Sequence, residues 1–308
     1  MRVASVKNPS AVNIKDLFGN YLFILPAVLI FSLFYVYPFF EIFYLSLYEW
    51  NGISTTRHFI GLGNFFEIMQ DKVWWMSVWH AAYITLIALT FQNALAFALA
   101  LSCDRDIRMR RFYRFVFYLP PVLSEVVVGL IWRWILSASM QGGEPVGLLN
   151  YFLTKAHLYH LMRDWLSDPR TALTSIAIVH SWKGFGWGFI ILLAGLQTID
   201  RQLYEAARVD GASSLSILKN ITIPMMVPVF IMVMILTILG SMQVFVLVLS
   251  MVGQGLVYHT EVPVTRILDS MIGTSRFGYA CAQGIVFGGI LVVGSFILHK
   301  FSKKVRQE

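Results

Sequence analysis

The chain has 308 residues, of which 57% are hydrophobic and 13% are charged, and its mean hydropathy is +0.66. A soluble globular domain is about 25% charged, so this composition excludes an ordinary water-soluble protein and requires a bilayer to cover its apolar surface. The net charge of +7 does not indicate nucleic acid binding, because the basic residues stand in short segments between apolar runs.

Six apolar runs are long enough to cross a membrane as helices, which takes about 20 residues each. They lie at about 21–47, 76–102, 112–136, 171–197, 225–250 and 279–301. The first run exceeds the roughly 7–15 apolar residues of a cleavable signal, so we expect it to stay. With neither linker nor repeat between the runs, the sequence predicts one membrane domain, 21–301, between an N-terminal segment, 1–20, and a tail, 302–308.

The distribution of lysine and arginine predicts the orientation of these helices. If the N-terminus is cytoplasmic, the segments on that side carry 15 basic residues and the longer segments on the other side carry 7. Lysine and arginine are enriched in cytoplasmic segments. The sequence therefore predicts an all-α integral membrane protein with six transmembrane helices and with both termini and the 198–224 segment in the cytoplasm.

The fourth predicted span carries a polar cluster, SWKGFGWG, at 181–188. Lys183 and Trp187 are four residues apart and therefore share a helix face. Polar groups at bilayer depth are costly and are often functional, which makes both residues candidates for contact with a solute. Alternatively, Lys183 pairs with Glu125 of the third span or with a partner subunit.

The 198–224 segment, which follows the fourth span, has the pattern of two short helices joined by a turn. Asp200 is a suitable N-cap for the first helix. Gly211 can adopt a positive φ in the turn, and Ser213 or Ser214 can cap the second helix. An ordinary connector between two spans is the alternative interpretation, since loops of this length are common.

The fifth predicted span carries hydroxyl and amide groups at bilayer depth. Thr237 and Ser241 are four residues apart and share a face, whereas Gln243 is less well aligned. All three are candidates for the same solute pathway. The alternative is that they join helices, as Ser, Thr and Gln side chains do in membranes.

The 198–224 segment resembles the EAA loop of binding-protein-dependent ABC permeases, whose pattern is E-A-A, two residues, D-G-A and, eight residues later, I-x-L-P. The matching residues are Glu205, Ala206, Ala207, Asp210, Gly211, Ala212, Ile221 and Pro224. The segments FIGLGNF (59–65), GLLNYFL (147–153) and FGYACA (277–282) also resemble segments of sugar permeases in this family.

The resemblance implies the type I importer fold and a coupling helix that sits in a groove of a separate ATPase. In that role, Glu205 contacts the ATPase, the alanines allow close seating, Gly211 makes the bend and Asp210 holds it. The implied coupling residues are Glu205, Ala206, Ala207, Asp210, Gly211, Ala212, Leu215 and Leu218. In sugar-importing relatives the fourth and fifth spans line the central cavity, which implies a solute pathway through Lys183, Trp187, Thr237, Ser241 and Gln243.

The implied function is that of a permease subunit in the bacterial inner membrane, which moves a sugar, oligosaccharide or polyol into the cytoplasm by alternating access. The implied partners are a related permease subunit, two ATPase subunits that bind ATP and Mg²⁺, an extracytoplasmic solute-binding protein, the carbohydrate and membrane lipid. The chain has no G-x-x-x-x-G-K-[ST] phosphate loop, and we expect it to be no enzyme and to bind neither cofactor, metal nor nucleic acid. The alternatives are an ion-coupled secondary transporter, which would show an inverted repeat, and a membrane enzyme.

Overall fold

A computed structural model describes residues 14–105, 108–141, 144–253 and 259–305 of the chain. Residues 1–13 and 306–308, the outer parts of the two predicted terminal segments, lie outside these ranges. The α-helices within the described ranges are α1 (Ile14–Phe31), α2 (Tyr37–Leu45), α3 (Gly63–Gln70), α4 (Lys72–Ile87), α5 (Asn93–Asp104), α6 (Arg110–Val122), α7 (Glu125–Ile135), α8 (Leu148–Lys155), α9 (Ala172–Leu196), α10 (Arg201–Val209), α11 (Ser214–Ile217), α12 (Ile223–Met242), α13 (Val246–Val252), α14 (Pro263–Leu268) and α15 (Phe277–Val305).

Three short π-helical turns each join two consecutive helices, namely Ser32–Val36, Ala88–Gln92 and Leu218–Thr222. A fourth, Asp269–Gly273, extends α14, and a 3-10 turn lies at Tyr159–Leu161. Strand is limited to two small antiparallel hairpins within the described ranges. They pair β1 (Tyr48–Glu49) with β2 (His58–Phe59), and β3 (Met140–Gln141) with β4 (Glu144–Pro145).

The predicted count of six spans agrees with the structure when one bent pair of helices is counted as a span. The straight candidates, by length and composition, are Tyr21–Leu45, Lys72–Asp104, Ala172–Leu196, Ser214–Met242 and Phe277–Phe296. The sixth is the pair α6 and α7, whose axes differ by 94°. The prediction of one continuous third span at 112–136 is therefore wrong. Pro120 and Pro121 near the end of α6 remove two backbone donors, and the chain is extended at Leu123 before α7 begins.

The fifth span also differs from its predicted range of 225–250. The helix already begins at Ser214, runs through the π turn and ends at Met242. Gln243 closes it with φ −95°, and α13 follows as a separate helix. Because the residues on both sides of this break are apolar, hydropathy alone places its end too late.

The long helix α9 lies at the centre of the fold. Its buried side chains include Ile176 and Val179 in one apolar cluster and Phe189 and Leu192 in another. At Gly186 a side chain would lie 2.6 Å from the carbonyl oxygen of Phe117, so glycine permits α6 to pack directly on α9. The first span is the opposite case, since none of its most apolar window is buried within this chain.

Candidate functional site

A cavity of about 360 Å³ lies between α9, α12, the start of α7 and the π turn that precedes α5. Three of the candidate spans and the bent pair therefore contribute to one pocket, whose surface is mostly apolar and carries several polar side chains. Its lining residues are Gln92, Glu125, His180, Lys183, Gly184, Trp187, Gly188, Ile191, Val233, Leu236, Thr237, Gly240 and Ser241.

Four of the five residues predicted for the solute pathway line this cavity. Lys183 and Trp187 reach it from α9, and Thr237 and Ser241 reach it from α12, as their four-residue spacings require. Gln243 does not belong to the lining. Gln243 is the C-cap of α12 and is exposed. The helix ends at Met242, so helical periodicity no longer determines the direction of the Gln243 side chain.

Lys183 and Glu125 form an ion pair in the wall of the cavity. The Lys183 ammonium nitrogen lies 3.6 Å from Oε1 of Glu125, and the two side chains are 14% and 44% exposed. Glu125 is the first residue of α7, so the bend after α6 determines where this carboxylate stands. The pairing of these two residues, one of the alternatives from the sequence, is present in the structure.

Gln92 is a further cavity residue, which the sequence analysis did not include in the solute pathway. The residue is buried, and its side-chain oxygen has no hydrogen-bond partner among the described residues. Gly184 lies against that oxygen, where a side chain would come within 2.5 Å. The π turn Ala88–Gln92 supplies the placement, and π turns are frequent at functional sites. An amide at bilayer depth is the signal that could have identified it.

The hydroxyl groups of the cavity also join helices. Thr237 Oγ1 donates to Asn93 Oδ1 at 3.1 Å, and Ser241 Oγ lies 3.0 Å from His180 Nε2. Both hydroxyls can still accept a further hydrogen bond. Trp187 is 56% exposed, and its ring packs edge-to-face on Tyr118 at 5.6 Å between centroids. The pocket therefore combines an open aromatic face with hydrogen-bonding groups.

The 198–224 segment folds as two short helices joined by a tight turn. Asp200 Oδ1 accepts a hydrogen bond from the backbone N–H of Gln202 at 2.9 Å, and Ser213 Oγ accepts one from Ser216 at 3.3 Å. Gly211 has φ +77°.

The turn is closed by backbone hydrogen bonds. The N–H of Gly211 donates to Arg208 O at 3.1 Å, and the N–H of Ala212 donates to Ala207 O at 2.9 Å. This pair of bonds around a glycine with positive φ is a Schellman motif. The turn is thus held by the backbone and by the glycine, and Asp210 occupies its C-cap position.

The outer face of this segment is open. Val209 is 88% and Leu215 is 73% exposed, and Glu205 and Ala206 beside them are exposed as well. On the opposite face, the Tyr204 hydroxyl lies 3.2 Å from Thr222 Oγ1. That contact joins α10 to the base of the fifth span.

Three of the predicted coupling residues are less exposed than the others. Ala207 and Ala212 flank the turn and are half-buried, and Leu218 is half-buried in the π turn.

Among the described residues no group of three or more His, Cys, Asp or Glu side chains is placed to hold a metal ion.

Comparison with known proteins gives relatives that are all described as components of transport systems. A sequence profile of the family described as "Binding-protein-dependent transport system inner membrane component" matches residues 94–307. The chain is 32% identical to "Probable ABC transporter permease protein YurN" of Bacillus subtilis strain 168, over 94% of this chain and 97% of that protein. It is 28% identical to "Probable starch degradation products transport system permease protein AmyD" of Thermoanaerobacterium thermosulfurigenes, over 90% and 91%.

A solved structure shares the fold. The chain aligns with a TM-score of 0.79 and 22% identity to a chain of the "bacterial alginate ABC transporter in complex with alginate pentasaccharide-bound periplasmic protein", over 95% of this chain and 96% of that one. The alignment confirms the importer permease fold predicted from the sequence.

Proposed function

Because this chain belongs to the family of binding-protein-dependent transport system inner membrane components, we propose that it is a permease subunit that conducts a sugar or oligosaccharide in an ATP-driven importer. The substrate class rests on relatives named for starch degradation products and for alginate. The family assignment decides against the ion-coupled transporter and the membrane enzyme.

The observation that carries the ATP-driven mechanism is the exposed apolar face of the 198–224 segment. Val209 and Leu215 stand almost free of contacts within this chain, and exposed apolar patches rimmed by polar groups mark protein interfaces. The partner that we propose is an ATPase subunit, which binds ATP and Mg²⁺ and takes this face into a groove. Glu205 and Ala206 lie on the rim of the contact, and Gly211 gives the segment its shape.

A continuous helix links that contact to the cavity. The helix from Ser214 to Met242 begins in the 198–224 segment and carries Thr237 and Ser241. The 23 residues from Ser214 to Thr237, at about 1.5 Å per residue, extend roughly 35 Å. A displacement of the segment by closing ATPase subunits would therefore move the cavity wall directly.

The cavity supports a carbohydrate as the solute. Sugar sites combine an aromatic face with several hydrogen-bonding groups, and the cavity lining contains the exposed ring of Trp187 together with the buried polar side chains of Gln92 and Ser241. The importer that we propose also contains a related permease subunit, for which the unburied first span provides a surface. An extracytoplasmic binding protein delivers the sugar, and the chain alternates between outward and inward openings.

The test is uptake of radiolabelled maltotriose into vesicles that contain the assembled importer, with its binding protein added outside and ATP inside. We expect uptake that requires ATP. Gly211→Val should abolish it while the chain remains inserted, because a β-branched residue resists a positive φ. Glu205→Lys should also abolish uptake by disturbing the ATPase contact.

Gly284→Val is the matched control, since Gly284 has no positive φ and open space around it. This variant should keep uptake near the wild-type rate. Normal uptake by both Gly211→Val and Glu205→Lys would refute the coupling role. Uptake driven by an ion gradient in the absence of ATP would refute the ATP-driven mechanism itself.

A further inference from the structure

The cavity has a balanced charge. Of its lining residues only Lys183 and Glu125 carry a formal charge when His180 is neutral, and they face each other at 3.6 Å. Lys183 is largely enclosed, whereas the side chain of Glu125, which also lines the cavity, is nearly half exposed. A lone lysine in this position would give the pocket a positive charge, and Glu125 removes it.

We propose that Glu125 sets the charge preference of the cavity, so that it accepts neutral saccharides and disfavours acidic ones. The inference rests on the proposed function and adds to it the substrate class. Glu125 acts in two ways. It compensates the positive charge of Lys183, and its own partly exposed carboxylate repels an anionic solute.

Weak screening of charges inside a membrane protein makes this charge preference strong enough to affect binding. Charges inside a membrane protein are screened less than charges in water, so an uncompensated ammonium would attract the carboxylate of an acidic sugar strongly. A neutral saccharide has no such attraction and depends on hydrogen bonds and ring stacking. The ion pair with Glu125 therefore prevents Lys183 from favouring acidic saccharides.

The other polar groups agree with a neutral ligand. The side-chain oxygen of Gln92 has no hydrogen-bond partner among the described residues and is itself buried. A change of its rotamer would turn it toward the cavity, where it could accept a hydrogen bond from a sugar hydroxyl. Thr237 and Ser241 each already have one partner, and their remaining acceptor capacity also suits a hydroxyl donor.

The position of Glu125 follows from the bend of the third span. The chain is extended at Leu123, and α7 begins at Glu125 with its axis 94° from that of α6. The carboxylate thereby stands at the first turn of a helix, beside α9. The preference is thus a consequence of the broken span and not of the residue pattern of α9 alone.

The experiment measures how well each of two sugars protects a cysteine in the cavity of the assembled importer. The reporter is Gly240→Cys, because Gly240 lines the cavity and has open space around it, with Cys103 and Cys281 replaced by alanine. The importer is held in nanodiscs without binding protein and labelled with N-ethylmaleimide, in the presence of maltotriose or of the alginate trisaccharide trimannuronate.

With Glu125 present, we expect maltotriose to protect at the lower concentration. Glu125→Gln should lower the half-protecting concentration of trimannuronate about tenfold, since one charge is removed at contact distance in a partly solvated site. The value for maltotriose should change less than about threefold, because its binding does not depend on the charge. Lys183→Gln should weaken protection by trimannuronate further.

Two variants control for general effects. Glu67→Gln makes the same change at an acid paired with Arg276 outside the cavity lining, and Glu125→Asp keeps the charge; both should preserve the preference for maltotriose. An unchanged ratio in Glu125→Gln, or an equal shift in Glu67→Gln, would overturn the inference. Protection by neither sugar in any background would instead overturn the proposed carbohydrate cavity, and with it this preference.

Discussion

Gly278 shows how a single position fixes the N-terminal end of the sixth span. A side chain there would collide with the carbonyl oxygen of Tyr48, and the Gly278 N–H donates to Trp50 O at 3.2 Å. We expect Gly278→Ala to lower the free energy of unfolding by about 1–3 kcal/mol, because overpacking forces the backbone apart. Thermal unfolding of the detergent-purified chain measures this change.

The matched control for that substitution lies on the same helix. Gly284 has no atom near the position of an added side chain, so Gly284→Ala should leave the unfolding temperature nearly unchanged. Equal shifts for the two variants would show that the close approach at Gly278 does not constrain the fold.

At the residue scale, helical spacing identified part of the cavity and missed the rest. Lys183 with Trp187, and Thr237 with Ser241, share a helix face because they are four residues apart, and a sequence contains that information. Gln92 reaches the cavity through a π turn, and Glu125 through a bend. Neither departure from the regular helix follows from hydropathy. The pairing of Glu125 with Lys183 was nevertheless one of the alternatives from the sequence, and Pro120 and Pro121 disfavour a continuous helix before Glu125.

Asn150 acts at the scale of elements, because it ties α8 to the segments around it. Its side-chain nitrogen donates to Arg163 O at 3.0 Å and to Ser137 O at 3.3 Å, and its oxygen accepts from Trp165 Nε1 at 2.9 Å. Asn150→Ala leaves these partly buried partners without their hydrogen bonds, which costs less than the about 1–3 kcal/mol of a fully buried group in each case. We expect trypsin to cleave after Arg163 several times faster in this variant.

Asn220→Ala provides the comparison for proteolysis. Asn220 is exposed, and its side chain donates to Ser216 Oγ within the 198–224 segment, far along the chain from α8. Its replacement should leave cleavage after Arg163 at the wild-type rate. If Asn150→Ala is cleaved no faster than Asn220→Ala, the hydrogen bonds of Asn150 do not hold the segment.

Elements were predicted well where composition decides them and poorly where geometry does. Apolar length indicated the six candidate spans, with the bent pair counted as one. Residue type indicated Asp200 as one cap, Ser213 or Ser214 as the other, and the turn at Gly211. The 94° bend after α6 and the break at Gln243 fall between apolar residues. Hydropathy averages over such positions, so the spans were predicted as straight.

For the whole molecule, the bent pair of α6 and α7 determines on which side of the membrane each later segment lies. If the pair crosses the bilayer once, three spans separate residue 55 from residue 213, and these residues face opposite sides. If the pair turns back within the membrane, the two residues face the same side. The excess of basic residues in the predicted cytoplasmic segments favours a single crossing.

Thiol labelling in intact cells distinguishes these topologies. With Cys103 and Cys281 replaced by alanine, cysteines are introduced singly at Thr55, Ser139 and Ser213, all in segments between the membrane helices. A single crossing predicts that an impermeant maleimide labels Thr55→Cys and Ser139→Cys, and that Ser213→Cys reacts only after permeabilisation. Labelling of Thr55→Cys and Ser213→Cys but not of Ser139→Cys would mean that the pair is re-entrant. The 198–224 segment would then face outward, where no ATPase could bind it.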